Sequence, residues 1–246
     1  MTPPPGPAPS PFDGLSVVIP AFNEERRIGA TIRRIQEYAA SRIGDFEVIV
    51  VDDGSADATG RVATEAGNGS SRLAVVRNPG NRGKGYSLRA GAMRARFPYV
   101  LLTDADESTP IEEIEKLAPH ASLRSVVIAS RGMAESRCEV RQPFYRETMG
   151  KVFNRIVQTI LLPGFSDTQC GFKLFGAEVV AAVFPTLRTE RFAFDVEVIA
   201  RALRLGFEVR EVPVRWLNDE GSSLNPIKDS AVMLRDVLRI WWLLRD

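Results

Sequence analysis

The chain has 246 residues, 32 lysines and arginines against 31 aspartates and glutamates, and a net charge of +1; a general nucleic-acid binder, which carries a basic excess, is excluded. Its two cysteines, Cys138 and Cys170, lack a CxxC spacing, so neither a zinc site nor a disulfide framework is indicated, and a reducing, cytoplasmic compartment is expected. The single histidine, His120, follows Pro119 in a helix-to-loop exit far from the acidic clusters described below, which argues against a histidine-dependent hydrolase.

Residues 1–13 contain Pro3, Pro4, Pro5, Pro7, Pro9 and Pro11 without a basic n-region or an apolar h-region, and read as an extended or disordered tail, not a signal peptide. No apolar run reaches the length that spans a bilayer. From Leu15 onward strands and helices alternate: a strand over 15–19 ended by Pro20, a helix over 24–40 with Ile28, Ile32 and Ile35 at helical spacing, and a strand over 46–51. A short helix over 57–66, a strand over 73–77, a helix over 87–96 and a strand over 99–102 continue the series. The pattern predicts an α/β fold with a mostly parallel central sheet flanked by helices. Beyond it, Pro110 opens a helix over 111–117, a strand is expected over 125–129, and a basic stretch leads into a helix over 145–161. A weaker alternation follows over 172–175, 179–184, 194–205 and 208–214, with no internal repeat and no linker dividing the chain.

Two of the apolar strands run into acidic clusters, Asp52-Asp53-Gly54-Ser55 and Thr103-Asp104-Ala105-Asp106. Carboxyl ends of parallel strands are where open α/β sheets place ligands. Extended along the strand, Asp104 and Asp106 point the same way and offer hard oxygens to one divalent cation, which would most naturally carry a diphosphate. The first strand meets Pro20-Ala21-Phe22-Asn23-Glu24 where a dinucleotide-binding unit wants GxGxxG, and GxxxxGK[ST] is absent, so NAD chemistry and a P-loop are both disfavoured.

Taken together, residues 17–24, 50–55, Asn81-Arg82-Gly83-Lys84-Gly85 and 103–106 resemble, in order, the motifs of inverting glycosyltransferase family 2 with its GT-A fold. Residues 104–110, Arg141-Gln142-Pro143, 167–173 and 192–197 are similar to the dolichyl-phosphate β-glucosyltransferase branch. The resemblance implies one GT-A domain over residues 14–225, with a nucleotide-sugar half over about 14–107 and an acceptor half over about 108–225. It also implies roles. Pro20, Ala21, Asn23, Glu24, Asp52, Asp53 and Gly54 hold the nucleoside; Arg82, Gly83 and Lys84 approach the base or diphosphate; Asp104, Ala105 and Asp106 complete the donor site, with Asp104 and Asp106 binding Mg²⁺ or Mn²⁺.

The expected reaction is transfer of glucose from UDP-glucose to a polyprenyl or dolichyl monophosphate with inversion. A lipid monophosphate, its second pKa near ~6, is largely dianionic at neutral pH and needs no strong base. It does need cations, and Arg131, Arg137, Arg141 and Arg146 cluster after the acidic motif, with Gln169 a further candidate. Asp167 and Asp195 are expected on the sugar hydroxyls or orienting the acceptor, while Cys170 reads as a packed side chain. Arg215-Trp216 resembles the end of a motif of processive relatives, but Val212-Pro213-Val214 stand where its glutamine would be. Alternatives are GDP-mannose or UDP-N-acetylglucosamine as donor, a non-lipid acceptor, a nucleotidyltransferase, or a silent nucleotide-sugar-binding scaffold.

Residues 226–246 set Val232, Met233, Val237, Leu238, Ile240, Trp241 and Trp242 among Lys228, Arg235, Arg239 and Arg245. Such an amphipathic helix lies in a membrane interface, packs on the core, or makes an oligomer contact. With a lipid acceptor, a peripheral position at the cytoplasmic face of the membrane is the expectation.

Overall fold

A computed structural model describes residues 12–139, 144–217 and 226–245, with the side chains of 144–148, 151 and 226–231 outside the description. Strands β1 (Leu15–Ala21), β2 (Phe46–Asp52), β3 (Leu73–Arg77) and β4 (Tyr99–Leu102) alternate with helices α1 (Ile28–Arg42), α2 (Thr59–Ala66) and α3 (Lys84–Ala92). After two short 3₁₀ turns around α4 (Ile114–Leu117) come β5 (Ser125–Ser130), β6 (Arg137–Cys138), α5 (Phe144–Ile160), β7 (Lys173–Gly176) and α6 (Ala177–Val183). The chain closes with α7 (Phe194–Arg204), β8 (Glu208–Pro213), β9 (Arg215–Trp216) and α8 (Pro226–Leu243).

Seven strands form one sheet in the order β3-β2-β1-β4-β7-β5-β8, parallel except for β7, which runs against both β4 and β5. The largely apolar β1 and β2 are buried on both faces, as parallel strands between helical layers require, with Ser16 and Glu47 paired to each other inside. Val17, Ile19, Val48 and Val50 pack with α1 and residues 111–118. Val18, Ile49 and Val51 face the opposite core, built with α3, α5, α6, α7 and α8. The chain moves outward through β2 and β3 and then returns to the other side of β1 as β4, so a topological switch point lies at the carboxyl ends of β1 and β4.

Several element boundaries differ from expectation for identifiable reasons. β1 runs on through Pro20, because Val18 accepts from Thr103 of the β4 side while Ala21 accepts from Asp53 of the β2 side. Alternation therefore turns Pro20 toward β4, whose pairing has already ended at Val18↔Leu102, and the missing N–H breaks no ladder bond. α1 starts at Ile28 instead of 24, since the Glu24 and Glu25 amides donate to Thr59 Oγ1 and Asp57 Oδ2. α3 starts at Lys84, not 87; the Tyr86 amide of its first turn donates to Glu190 O at 3.0 Å, a partner distant in sequence. A two-stranded parallel ribbon, β6 with β9, forms beside the sheet; sequence patterning does not anticipate it, two residues being too few to show a period.

Candidate active site

The parallel strands deliver the turns after β1, β2, β4 and β5 to one edge of the sheet, and antiparallel β7 brings the residues that precede it, 167–172, to the same edge. The expectation that Asp104 and Asp106 extend a strand is corrected: β4 stops at Leu102, and both acids stand in the following turn. Glu107, at φ 52°, closes this turn. From α1, the buried Thr31 hydroxyl donates to Ala105 O at 2.8 Å, and Arg34 Nε lies 3.1 Å from Glu107 Oε1.

Lys84, on the first turn of α3, places Nζ 2.6 Å from Asp104 Oδ1. Burial opposes charge on both partners, but each outweighs it for the other. The Lys84 ammonium stays above the usual lysine range and the Asp104 carboxyl below the usual carboxylate range. Asp106 moves the other way: burial and then the adjacent Asp104 charge push its carboxyl up, although Oδ1 accepts from the Ser108 amide at 2.9 Å. Across from them, a Cβ on Gly171 would fall 2.1 Å from Asp104 Oδ2, so only glycine admits this approach. Two hard carboxylates whose mutual repulsion is incompletely relieved suit a divalent cation. Among the described residues no group of three or more His, Cys, Asp or Glu gathers to enclose one, which leaves further ligand positions to substrate oxygens and water.

The turns after β1 and β2 hold one another. Asn23, at φ 57°, donates its amide to Ser55 Oγ and accepts from the Ala56 amide through Oδ1, while Glu24 pairs with Arg27 at 2.6 Å. Asp52 is fully buried and accepts from the Ser55 amide, which shapes the turn around Gly54. Asp53 holds the turn that leads into α3: its two oxygens accept from the amides of Arg82 at 3.0 Å and Gly83 at 2.7 Å, and Asn78 Nδ2 donates at 2.7 Å. Gly83 adopts φ 103°, and a Cβ there would lie 2.5 Å from Glu190 O. The Arg82 guanidinium stacks on Tyr86 and pairs with Glu190 at the surface.

Arg131 follows β5 and is gripped by Asp167. Nε and Nη2 donate to its two oxygens at 2.6 and 3.0 Å, and the Arg131 amide donates at 3.1 Å. The guanidinium also lies 5.4 Å from the Trp216 ring. Against its burial, the Arg131 cation holds the Asp167 carboxyl low; Arg131 and Asp104 also feel each other's charge, so a fixed cation neighbours the acidic turn. Asp167 is therefore the partner of Arg131. Asp195 is likewise turned inward: Lys173 Nζ, fully buried, sits 2.5 Å from its Oδ1 and also donates to Cys170 O. Asp195, expected on the sugar hydroxyls or orienting the acceptor, is held in this buried pair. Gln169 donates its amide to Asp167, and its Nε2 is buried with no protein acceptor. Arg137 is exposed on β6, which pairs with β9; Arg141 and the Arg146 side chain lie outside the described residues. Cys170 packs against Thr109, its thiol raised by burial, and His120 Nδ1 lies 3.0 Å from Arg210 Nη1.

Sheet order, switch point and acidic turn define a GT-A glycosyltransferase. Residues 16–184 match the family described as Glycosyl transferase family 2, and the chain belongs to that family. It is 34% identical over 239 residues to the dolichyl-phosphate beta-glucosyltransferase of Dictyostelium discoideum, covering 92% of this chain and 73% of that one. It is 35% identical over 245 residues to the enzyme of the same name from Homo sapiens, covering 94% and 76%. The fold matches glucosyl-3-phosphoglycerate synthase from Mycobacterium tuberculosis, solved with Mn²⁺, UDP and phosphoglyceric acid, at a TM-score of 0.69 and 18% identity, covering 92% of this chain and 76% of that one.

Proposed function

We propose that this glycosyltransferase moves glucose from UDP-glucose to a dolichyl or polyprenyl monophosphate, giving a β-linked lipid-phosphate glucose. The observation that carries the reading is the Arg131 guanidinium, fixed by Asp167 beside the Asp104–Asp106 turn. It sets a phosphate-binding cation next to a donor-diphosphate site. The names of the relatives support the same acceptor and sugar, and the fold neighbour holds UDP with Mn²⁺.

In this reading Asp104 and Asp106 hold Mg²⁺ or Mn²⁺, which when bound neutralises charge on the departing diphosphate. Lys84 supports the same charge from α3. Arg131 keeps two donors on Asp167 and turns its remaining N–H groups to the acceptor phosphate. One phosphate oxygen attacks the anomeric carbon from the face opposite UDP, the bond from that carbon to the diphosphate oxygen breaks, and UDP leaves with the electron pair. The dianionic acceptor needs no general base.

A peripheral position at the cytoplasmic face of a membrane accompanies a lipid acceptor. Among the described residues no helix is long and apolar enough to cross a membrane. α8 buries Val237 and Ile240 in the core yet leaves Leu238 46% and Trp242 68% exposed, beside exposed Arg235 and Arg239, a pairing suited to an anionic lipid surface.

The test is a transfer assay with purified protein, Mn²⁺ and dolichyl phosphate in anionic vesicles, run with UDP-glucose, GDP-mannose and UDP-N-acetylglucosamine. Glucosyl lipid and free UDP from the first donor are expected. Transfer from another donor, transfer only to 3-phosphoglycerate, or no sugar-lipid with any donor would overturn the assignment.

A further inference from the structure

Glu211 lies on β8 two residues before the strand ends, opposite Ile128 of β5, at the same sheet edge as Arg131. Its two oxygens accept from consecutive backbone amides, Ser166 at 2.7 Å and Asp167 at 2.8 Å. Among the described residues it enters no ion pair. A half-buried carboxylate that takes two N–H donors and no cation is a device for holding backbone. The segment it holds carries Asp167, whose oxygens fix Arg131. The other side of that segment is tied to α5, where Asn154 Nδ2 donates to Ser166 O at 2.6 Å and Gln158 Nε2 to Phe165 O at 2.7 Å. Gly132 completes the fit, since a Cβ there would lie 2.7 Å from Ser166 O.

We infer that Glu211 is a positioning residue for the acceptor, acting through Asp167 to set the Arg131 guanidinium; this rests on the reading of Arg131 as the acceptor-phosphate cation. The chain of contact has two links, and neither includes the donor site. Loss of Glu211 is therefore felt as weaker acceptor binding with donor binding intact. Glutamine is the discriminating substitution: it keeps volume but offers one oxygen to two amides, and its NH₂ group confronts an N–H donor.

The experiment is calorimetric titration with farnesyl phosphate, and separately with UDP and Mn²⁺, of wild type, Glu211→Gln, Asp167→Asn and the double variant. Glu211→Gln is expected to weaken farnesyl phosphate at least about tenfold, as loss of a charge-assisted bond implies, and to leave UDP affinity within about twofold. The double variant should lose no more than Asp167→Asn alone, because both act on one path. In turnover the acceptor KM rises while kcat holds. If Glu211→Gln does not fold, Asn154→Ser loosens the carbonyl side of the same segment and should give the same acceptor-selective loss. Equal weakening of both ligands, unchanged acceptor binding, or additive loss in the double variant would overturn the inference alone. Failure of wild type to bind farnesyl phosphate would overturn the lipid-phosphate reading and this inference with it.

Discussion

Lys173 sits in the apolar run Phe172-Lys173-Leu174-Phe175 and is fully buried. A lone ammonium there is tolerated only with a matched charge, and Asp195, arriving from the first turn of α7, supplies it. Removing one partner strands the other: Lys173→Met is expected to cost about 3–5 kcal/mol in urea denaturation, while Lys173→Met with Asp195→Leu recovers most of that loss. A single variant within about 1 kcal/mol of wild type would contradict the pairing. Nothing local in the sequence links Lys173 to Asp195, 22 positions on, so the pair is visible only in the fold. Asp104, Asp106 and Arg131 could be singled out in the sequence, the acids as a pair after an apolar strand and the arginine from the basic stretch that follows. Their detailed partners, Lys84 and Asp167, depend on elements distant in the chain.

α3 shows the same limit for a helix boundary. The amides just ahead of it, those of Arg82 and Gly83, donate to Asp53, 30 positions before Gly83, and the Tyr86 amide in its first turn donates to Glu190 O; neither partner stands next to the helix in sequence, and periodicity alone puts the start at 87. Asp53 ties Arg82 and Gly83 to the end of β2, which leads Lys84 toward Asp104. Asp53→Ala is expected to lower stability by about 1–3 kcal/mol, the cost of leaving partly buried amides without an acceptor, and to weaken UDP binding in the same protein, both readable by thermal melts with and without nucleotide. A destabilised variant with unaltered UDP affinity would separate this tie from the donor site. The first four strands, by contrast, were legible nearly to the residue. Apolar runs bounded by turn residues mark all four, although only β1, β2 and β4 are mostly buried and β3, at the sheet edge, is part-exposed. β6, β9 and the antiparallel sense of β7 were not, because short edge pairing and strand direction leave no period in the sequence.

At the scale of the molecule, strand order makes the site. The switch between β1 and β4 opens an edge onto which five separate segments converge, those of Asn23, Asp53, Asp104, Arg131 and Asp167, none near another in sequence except through the sheet. In the proposed reading the donor side is a set of turns that hold each other through amide-to-side-chain hydrogen bonds, and the acceptor side is a guanidinium held by a carboxylate. Catalysis in this account depends on a doubly charged ion bound between the Asp104–Asp106 turn and the nucleoside diphosphate. Calorimetric titration of UDP with and without Mn²⁺, in wild type and Asp106→Asn, tests it most directly. UDP should bind tightly only with Mn²⁺, and the metal-dependent gain should vanish in Asp106→Asn without loss of thermal stability. Equal UDP affinity in chelator, or a full Mn²⁺ effect in Asp106→Asn, would contradict it.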